Sequence, residues 1–112
     1  MRNYQPQKNN PYKLPTSLYR RMIDLVRDYD RIREQKSSIL SGDPTGNDKL
    51  AMLSRDCEAV EKALARIPPE YHRGIMNSIL YHSKYPYTAG ERTYGYWKSK
   101  LAYFIAEYLG YI

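Results

Sequence analysis

Apolar residues recur every three or four positions along most of this chain, which is the spacing of amphipathic α-helices. The first series comprises Leu18, Met22, Leu25, Tyr29, Ile32 and, after Lys36, Ile39. The second comprises Leu50, Leu53, Cys57, Val60, Leu64 and Ile67. Both step by three and four residues, as in a heptad seam. Each series predicts one long helix, the first beginning with Thr16 or Ser17 as its N-terminal cap.

Glycine and proline separate these two helices at Gly42-Asp43-Pro44-Thr45-Gly46. Two helices of similar length joined by a short loop fold back as an antiparallel hairpin. We expect this hairpin over residues 15–67. Residues 1–14 are polar, contain Asn9-Asn10-Pro11 and show no helical periodicity, so they predict a flexible N-terminal arm.

The remaining sequence predicts two further helices. Pro68-Pro69-Glu70 suits the first turn of a helix that runs to about His82, with Tyr71, Ile75, Ile79 and Leu80 on one side. The segment SKYPYTAGE predicts a loop. The last helix runs from near Gly90 to about Gly110 and buries Tyr94, Trp97, Leu101, Phe104, Ile105, Tyr108 and Leu109.

No segment of strand length alternates apolar and polar residues, so the fold class predicted is all-α. The expected architecture is one helical domain over residues 15–112. Within it, residues 68–112 form a two-helix, shortened helix-turn-helix-like part that follows the hairpin.

Composition narrows the class of protein. The 112 residues fit one small domain, and no apolar run reaches the roughly 20 residues that span a bilayer. The N-terminus lacks the apolar centre of a signal peptide, and the single cysteine, Cys57, suits a reducing compartment. We therefore expect a cytoplasmic protein without membrane contact. The formal net charge of +6 permits a polyanionic partner.

Residues capable of catalysis or metal binding do not form a recognisable site. Cys57 occupies an apolar seam position, which is typical of a core residue rather than a nucleophile. His72 and His82 lack the spacing of two ligands on one helical face. The acids Asp24 and Asp28 alternate with arginines three and four residues away, as on a solvated helix face. We expect no enzyme activity, no metal and no cofactor.

The C-terminal half combines tyrosines with basic residues. Nine of the thirteen tyrosines lie between Tyr71 and Tyr111. One side of the last helix carries residue types that contact phosphates and base edges, namely Arg92, Thr93, Tyr96, Lys98 and Lys100. They stand in the first turns, where a recognition helix makes its contacts. An ordinary solvated basic face would have the same composition.

Two segments, ALARIPPEYHRGIMNSIL and ERTYGYWKSKLAYFIAEYLG, resemble the C-terminal part of RinA/ArpU-type transcriptional regulators of phages and prophages. That part is similar to the DNA-binding fourth region of bacterial sigma factors, and the resemblance covers about residues 14–112. It implies control of late phage genes through the last helix, with Arg92, Thr93, Tyr96 and Lys100 toward DNA and Trp97 and Leu101 buried. The chain departs from the family pattern where SKYPYTAGE replaces the positioning helix.

Double-stranded DNA is therefore the expected partner. The hairpin seams could pair within the chain or form a homodimer, and RNA polymerase is a further candidate partner. Arg2, Lys8 and Lys13 of the arm could add phosphate contacts. The rival hypothesis is a small phage protein that binds and inhibits a host nucleic-acid-targeting defence complex, as anti-CRISPR proteins do. An assembly adaptor without nucleic-acid contact is the third.

Overall fold

The computed structural model describes residues 12–40, 47–85 and 90–112, in which all regular secondary structure is helical. The helices are α1 (Thr16–Arg27), α2 (Tyr29–Leu40), α3 (Asn47–Ala65), α4 (Pro69–Tyr81) and α5 (Glu91–Tyr108). The all-α prediction is confirmed over these residues. Residues 1–11 of the predicted arm, the breaker at 42–46 and residues 86–89 of the predicted loop lie outside them. Among the described helices, none is long and apolar enough to cross a membrane.

The prediction of one long first helix is wrong, because Asp28 separates α1 from α2. Its backbone has φ −90° and ψ −2°, displaced from ideal helix geometry. Hydrogen bonds continue on both sides, from the Asp28 N–H to the Asp24 carbonyl and from the Ile32 N–H to the Asp28 carbonyl, each at 3.0 Å. The two halves have different partners, since α1 packs mainly on α5 and α4 while α2 packs on α3. A single straight apolar stripe could not face both sets of partner helices.

The predicted side-chain cap at Thr16 or Ser17 is also wrong. Pro15 occupies the N-cap position, and no side chain caps this end of α1. The Pro15 carbonyl instead accepts the first helical hydrogen bond from the Tyr19 N–H at 2.9 Å. Proline suits a helix start because its ring fixes φ, here −54°, close to the helical value.

The core is organised around α5, which packs against α3, α1 and α4. Leu101, Ala102, Ile105 and Ala106 on α5 have no solvent exposure, and neither does Ala63 on α3. Alanines on both helices keep the side-chain layer between them thin, which allows close helix packing. Most of the predicted seam of α3 is buried in the same way, at Leu53, Cys57, Val60 and Ile67.

Two helix faces differ in detail from the prediction. Tyr108 is 43 % exposed, whereas it was expected on the buried side of α5. It is the last residue of that helix, and in this final segment Leu109 is buried instead. On α1, Ile23 and Val26 are buried although they lie outside the predicted seam. That helix contacts all four of the other helices, so a wider stripe than two positions per heptad is covered.

Each of the two histidines and the cysteine has a structural role in the fold. His72 Nε2 donates to the Ile67 carbonyl at 2.7 Å, which closes the turn between α3 and α4. His82 caps the end of α4 in a left-handed conformation with φ 55°. Cys57 is buried beside Ile32 and Leu53, which confirms its predicted core role, and burial raises the pKa of its thiol.

We expect Ile105→Ala to lower the free energy of unfolding by roughly 2–5 kcal/mol, because it opens a cavity in the fully buried stripe of α5. Urea denaturation followed by circular dichroism measures the change. The control is Lys62→Ala at an exposed position of α3, which should change stability by less than about 0.5 kcal/mol. Equal effects of the two substitutions would contradict the central position of α5.

Candidate nucleic-acid interface

The five predicted contact residues do not form one surface. Arg92, Tyr96 and Lys100 are spaced by four, so they follow one another along one side of α5, and Thr93 lies beside Arg92. Lys98 falls on nearly the opposite side, because each residue advances the helix by about 100°. Arg92 is exposed, whereas the other four are half-buried. We call Arg92, Thr93, Tyr96 and Lys100 the Arg92 face.

The ammonium group of Lys100 lies among four aromatic rings. Its Nζ is 4.4 Å from the ring centroid of Tyr12, 4.7 Å from Trp97, 5.4 Å from Tyr96 and 5.5 Å from Phe104. All four distances are within the roughly 6 Å over which a cation is attracted to the face of a ring. Lys100 is therefore held against its own fold rather than extended from α5.

Aromatic rings from α4 and the following segment pack against the beginning of α5. Tyr71 stacks on Trp97 with 5.8 Å between ring centroids, and its ring meets Tyr94 edge-on at 5.3 Å. Tyr85 stacks on Tyr94 at 4.8 Å. Tyr94 is 2 % exposed, which confirms its predicted place in the core. The tyrosine enrichment of the C-terminal half thus contributes substantially to packing around α5.

Tyr12 completes this aromatic cluster from the other end of the chain. Its ring meets Tyr103 at 5.2 Å, Phe104 at 6.0 Å and Tyr96 at 6.3 Å, all with edge geometry. Leu14, two residues later, is buried. Neither residue was singled out in the sequence. The usable signal was the position of Leu14 just before the N-cap of α1, from which an apolar residue often packs against the fourth helical residue, here Tyr19.

Lys98 lies in a cleft between α1 and α5. The cleft has a volume of about 270 Å³ and is lined by Tyr19, Arg20, Ile23, Asp24, Arg27 and Lys98. Lys98 Nζ donates to Ser78 Oγ of α4 at 3.3 Å. Burial lowers the pKa of Lys98, and the nearby Arg27 guanidinium lowers it further. In the sequence Arg20 and Arg27 have the spacing of a solvated ladder, which gives no sign of this basic cleft.

The arginine–aspartate ladder of α1 and α2 is present in part. Arg27 Nη1 pairs with Asp24 at 3.1 Å, and Arg31 Nε donates to Asp28 at 2.7 Å. Arg27 also donates through Nε to the Ile79 carbonyl at 2.8 Å, which ties α1 to α4. Arg27 therefore has a fixed position in the cleft, unlike an ordinary surface arginine.

Comparison with family models, curated proteins and solved structures gave no match to this chain. The resemblance to RinA/ArpU-type regulators therefore stays a prediction. Over the residues that the structure describes, no three histidine, cysteine or acidic side chains come together as potential metal ligands.

The aromatic contacts of Lys100 predict that Lys100→Met lowers the free energy of unfolding by about 1 kcal/mol. Methionine keeps the unbranched stem and has similar helix propensity, but lacks the charge that the rings attract. Lys100→Arg should retain most of the stability, because a guanidinium also binds aromatic faces. Urea denaturation checks both variants, with Lys62→Met at an exposed position of α3 as the matched control. A Lys100→Met protein as stable as the wild type would contradict the cation–ring contact.

Proposed function

We propose that this protein is a phage- or prophage-encoded transcriptional regulator that binds double-stranded DNA through the N-terminal half of α5. The observation that carries the proposal is the Arg92 face, on which an exposed arginine in the first turn is followed by threonine, tyrosine and lysine on the same side. Arginine binds phosphates and guanine edges, and the first turns of a helix are the part that enters a major groove. The family resemblance and the net charge of +6 point to the same partner.

In this proposal α4 and α5 are the shortened helix-turn-helix. They pack against each other and are joined by the Lys98–Ser78 hydrogen bond. The residues between them are non-helical wherever the structure describes them. A regulator with this motif would approach the groove with α5 while α4 braces it from behind, without a separate positioning helix.

The pair formed by α2 and α3 is the proposed dimerisation element. The two helices pack on each other, and Tyr29 of α2 donates a hydrogen bond to the Glu61 carboxylate of α3. Leu40 at the end of α2 is 65 % exposed and Met52 near the start of α3 is 66 % exposed. Exposed apolar side chains of this kind suit contact with a second copy, and a symmetric dimer suits a palindromic DNA site.

The aromatic environment of the Arg92 face favours a second candidate function. Tyr96 and Lys100 are partly covered by other rings, while Tyr81, Tyr108 and Tyr111 are exposed. Exposed tyrosines are enriched in protein–protein interfaces. A small phage protein that inhibits a host nucleic-acid-targeting complex would use this kind of surface without reading DNA.

Binding to a random-sequence duplex, measured by fluorescence anisotropy across salt concentrations, tests the proposal. The wild type should bind with an affinity that falls steeply with salt, because lysine and arginine contacts to phosphates release counterions. If Arg92 contacts a phosphate, Arg92→Gln should reduce the slope of log K against log salt by about one. Lys62→Gln on α3 is the matched charge control and should reduce the slope less than Arg92→Gln does.

Circular dichroism of each variant separates loss of binding from loss of folding. Arg92 is exposed and is not part of the core formed by the described residues, so its replacement should leave the helical signal unchanged. Absent or salt-independent binding by folded wild-type protein would refute the DNA-binding proposal and favour the protein-binding candidate.

A further inference from the structure

The cleft between α1 and α5 has the chemistry of an anion site. Arg20, Arg27 and Lys98 contribute three cationic groups, whereas Asp24 is the one acidic residue of the lining. Asp24 already pairs with Arg27 at 3.1 Å, so its one negative charge offsets only one of the three positive charges. The positive charge of the cleft therefore exceeds what its own carboxylate neutralises.

Lys98 has unused donors in this cleft. Its ammonium carries three N–H groups and donates to Ser78 Oγ at 3.3 Å. Among the side chains that the structure describes, no carboxylate lies within ion-pair distance of it. Partial burial and the neighbouring Arg27 both disfavour the charged form and lower the pKa of Lys98. An anion between Lys98 and Arg27 would offset both the burial of the charged ammonium and its repulsion by the guanidinium.

Arg27 and Tyr19 give the cleft fixed walls. The bond from Arg27 Nε to the Ile79 carbonyl holds the guanidinium in place, so little side-chain freedom would be lost on binding. Burial raises the pKa of Tyr19 to about 12, with a smaller contribution from Tyr85. Its phenol, like that of an ordinary tyrosine, is protonated at neutral pH and able to donate. Arg20 is exposed at the edge of the cleft.

Size limits the ligand to a small group. Clefts that enclose drug-sized molecules usually have volumes of roughly 300–1,000 Å³, and this one has about 270 Å³. A second cleft of about 260 Å³ adjoins the same Tyr19 and is lined by Lys13, Leu14, Thr16, Tyr19 and Ser99. Two small basic clefts that share one wall suit successive phosphate groups better than one large organic molecule.

We propose that the cleft between α1 and α5 binds a phosphate group through Lys98, Arg20 and Arg27. Arginine and lysine together give charge-assisted hydrogen bonds to phosphate oxygens. Lys98 stands on the opposite side of α5 from Arg92 and Tyr96, so the site does not rest on the DNA-binding role of the Arg92 face. The phosphate can belong to a nucleic-acid backbone or to a small phosphorylated compound.

Titration of the intact protein with inorganic phosphate at constant ionic strength, followed by NMR, tests the site. We expect saturable shifts at the Arg27 Nε–H and at the amides of Arg20 and Lys98. Lys98→Gln and Arg20→Gln should each weaken binding about tenfold, because each removes a charge-assisted hydrogen bond. Lys62→Gln should bind phosphate like the wild type.

Asp24→Asn provides a variant that gains binding. It removes the one negative charge of the lining, so phosphate should bind about fivefold more tightly, while Arg27 stays held by the Ile79 carbonyl. Shifts that fail to saturate, or that sodium chloride reproduces, would overturn the proposal. So would an unchanged affinity in Lys98→Gln.

A short random-sequence duplex then identifies the source of the phosphate. If it is a nucleic-acid backbone, the duplex shifts the same resonances, and Lys13→Gln in the adjoining cleft weakens duplex binding without affecting inorganic phosphate. If it is a small compound, phosphate shifts these resonances and the duplex leaves them unchanged. Arg92→Gln separates the two proposals, since it should weaken only the duplex. A site that responds to neither ligand would refute the inference.

Discussion

The burial of α5 against three other helices is the constraint on which the rest of this structure depends. From Leu101 to Ala106 the helix presents buried residues at every position except the half-buried Tyr103. A helix that is covered nearly all round belongs to the core. Among the described side chains of α5, solvent-facing positions remain in the first turns and at the last two residues, Glu107 and Tyr108. The basic residues of α5 all precede Leu101, so nucleic-acid recognition by this helix must use its N-terminal half.

Aromatic packing divides the surface around the beginning of α5 into two cationic regions. On one side, rings of Tyr12, Tyr96 and Trp97 hold Lys100 and leave Arg92 exposed. On the other side, Lys98 meets Arg27 of α1 in a cleft. The basic residues of this one helix thus have three environments, because Arg92 is exposed, Lys100 lies among aromatic rings and Lys98 lies in a cleft. Their chemistry follows from these environments more than from their shared charge.

Hydrophobic periodicity predicted the helical class and much of the core, because most apolar positions of the predicted seams on α3 and α5 are buried. Leu53, Cys57, Leu101 and Ile105 are buried as expected. The break at Asp28 was not predictable, since both halves of that seam keep a heptad spacing and differ only in the helices that they pack against. Periodicity predicts which residues are buried, but it does not predict which helix they pack against.

The candidate site was harder to predict than the core, because it depends on contacts between distant parts of the sequence. Lys98 and Lys100 are two residues apart and have the same charge, so composition treats them alike. Tyr12, whose ring contacts Lys100, lies 88 positions away along the chain. Arg27 looked like a member of a solvated ladder, and only its contact with the Ile79 carbonyl of α4 reveals its fixed position. No local pattern encodes these pairings.

The cage around Lys100 also ranks the predicted DNA contacts. A lysine–ring contact at a partly exposed site contributes about 0.5–2 kcal/mol, and Lys100 would forfeit it on reaching out to a phosphate. Its net gain from DNA is the difference between two attractions of similar size. Arg92 is exposed and lies over none of the aromatic rings that the structure describes, so its whole attraction to a phosphate is available for binding. Of the two cations on the Arg92 face, Arg92 is therefore the one whose removal should reduce DNA affinity more. Lys100 contributes chiefly by holding the rings of Tyr12 and Trp97, which contact Tyr96.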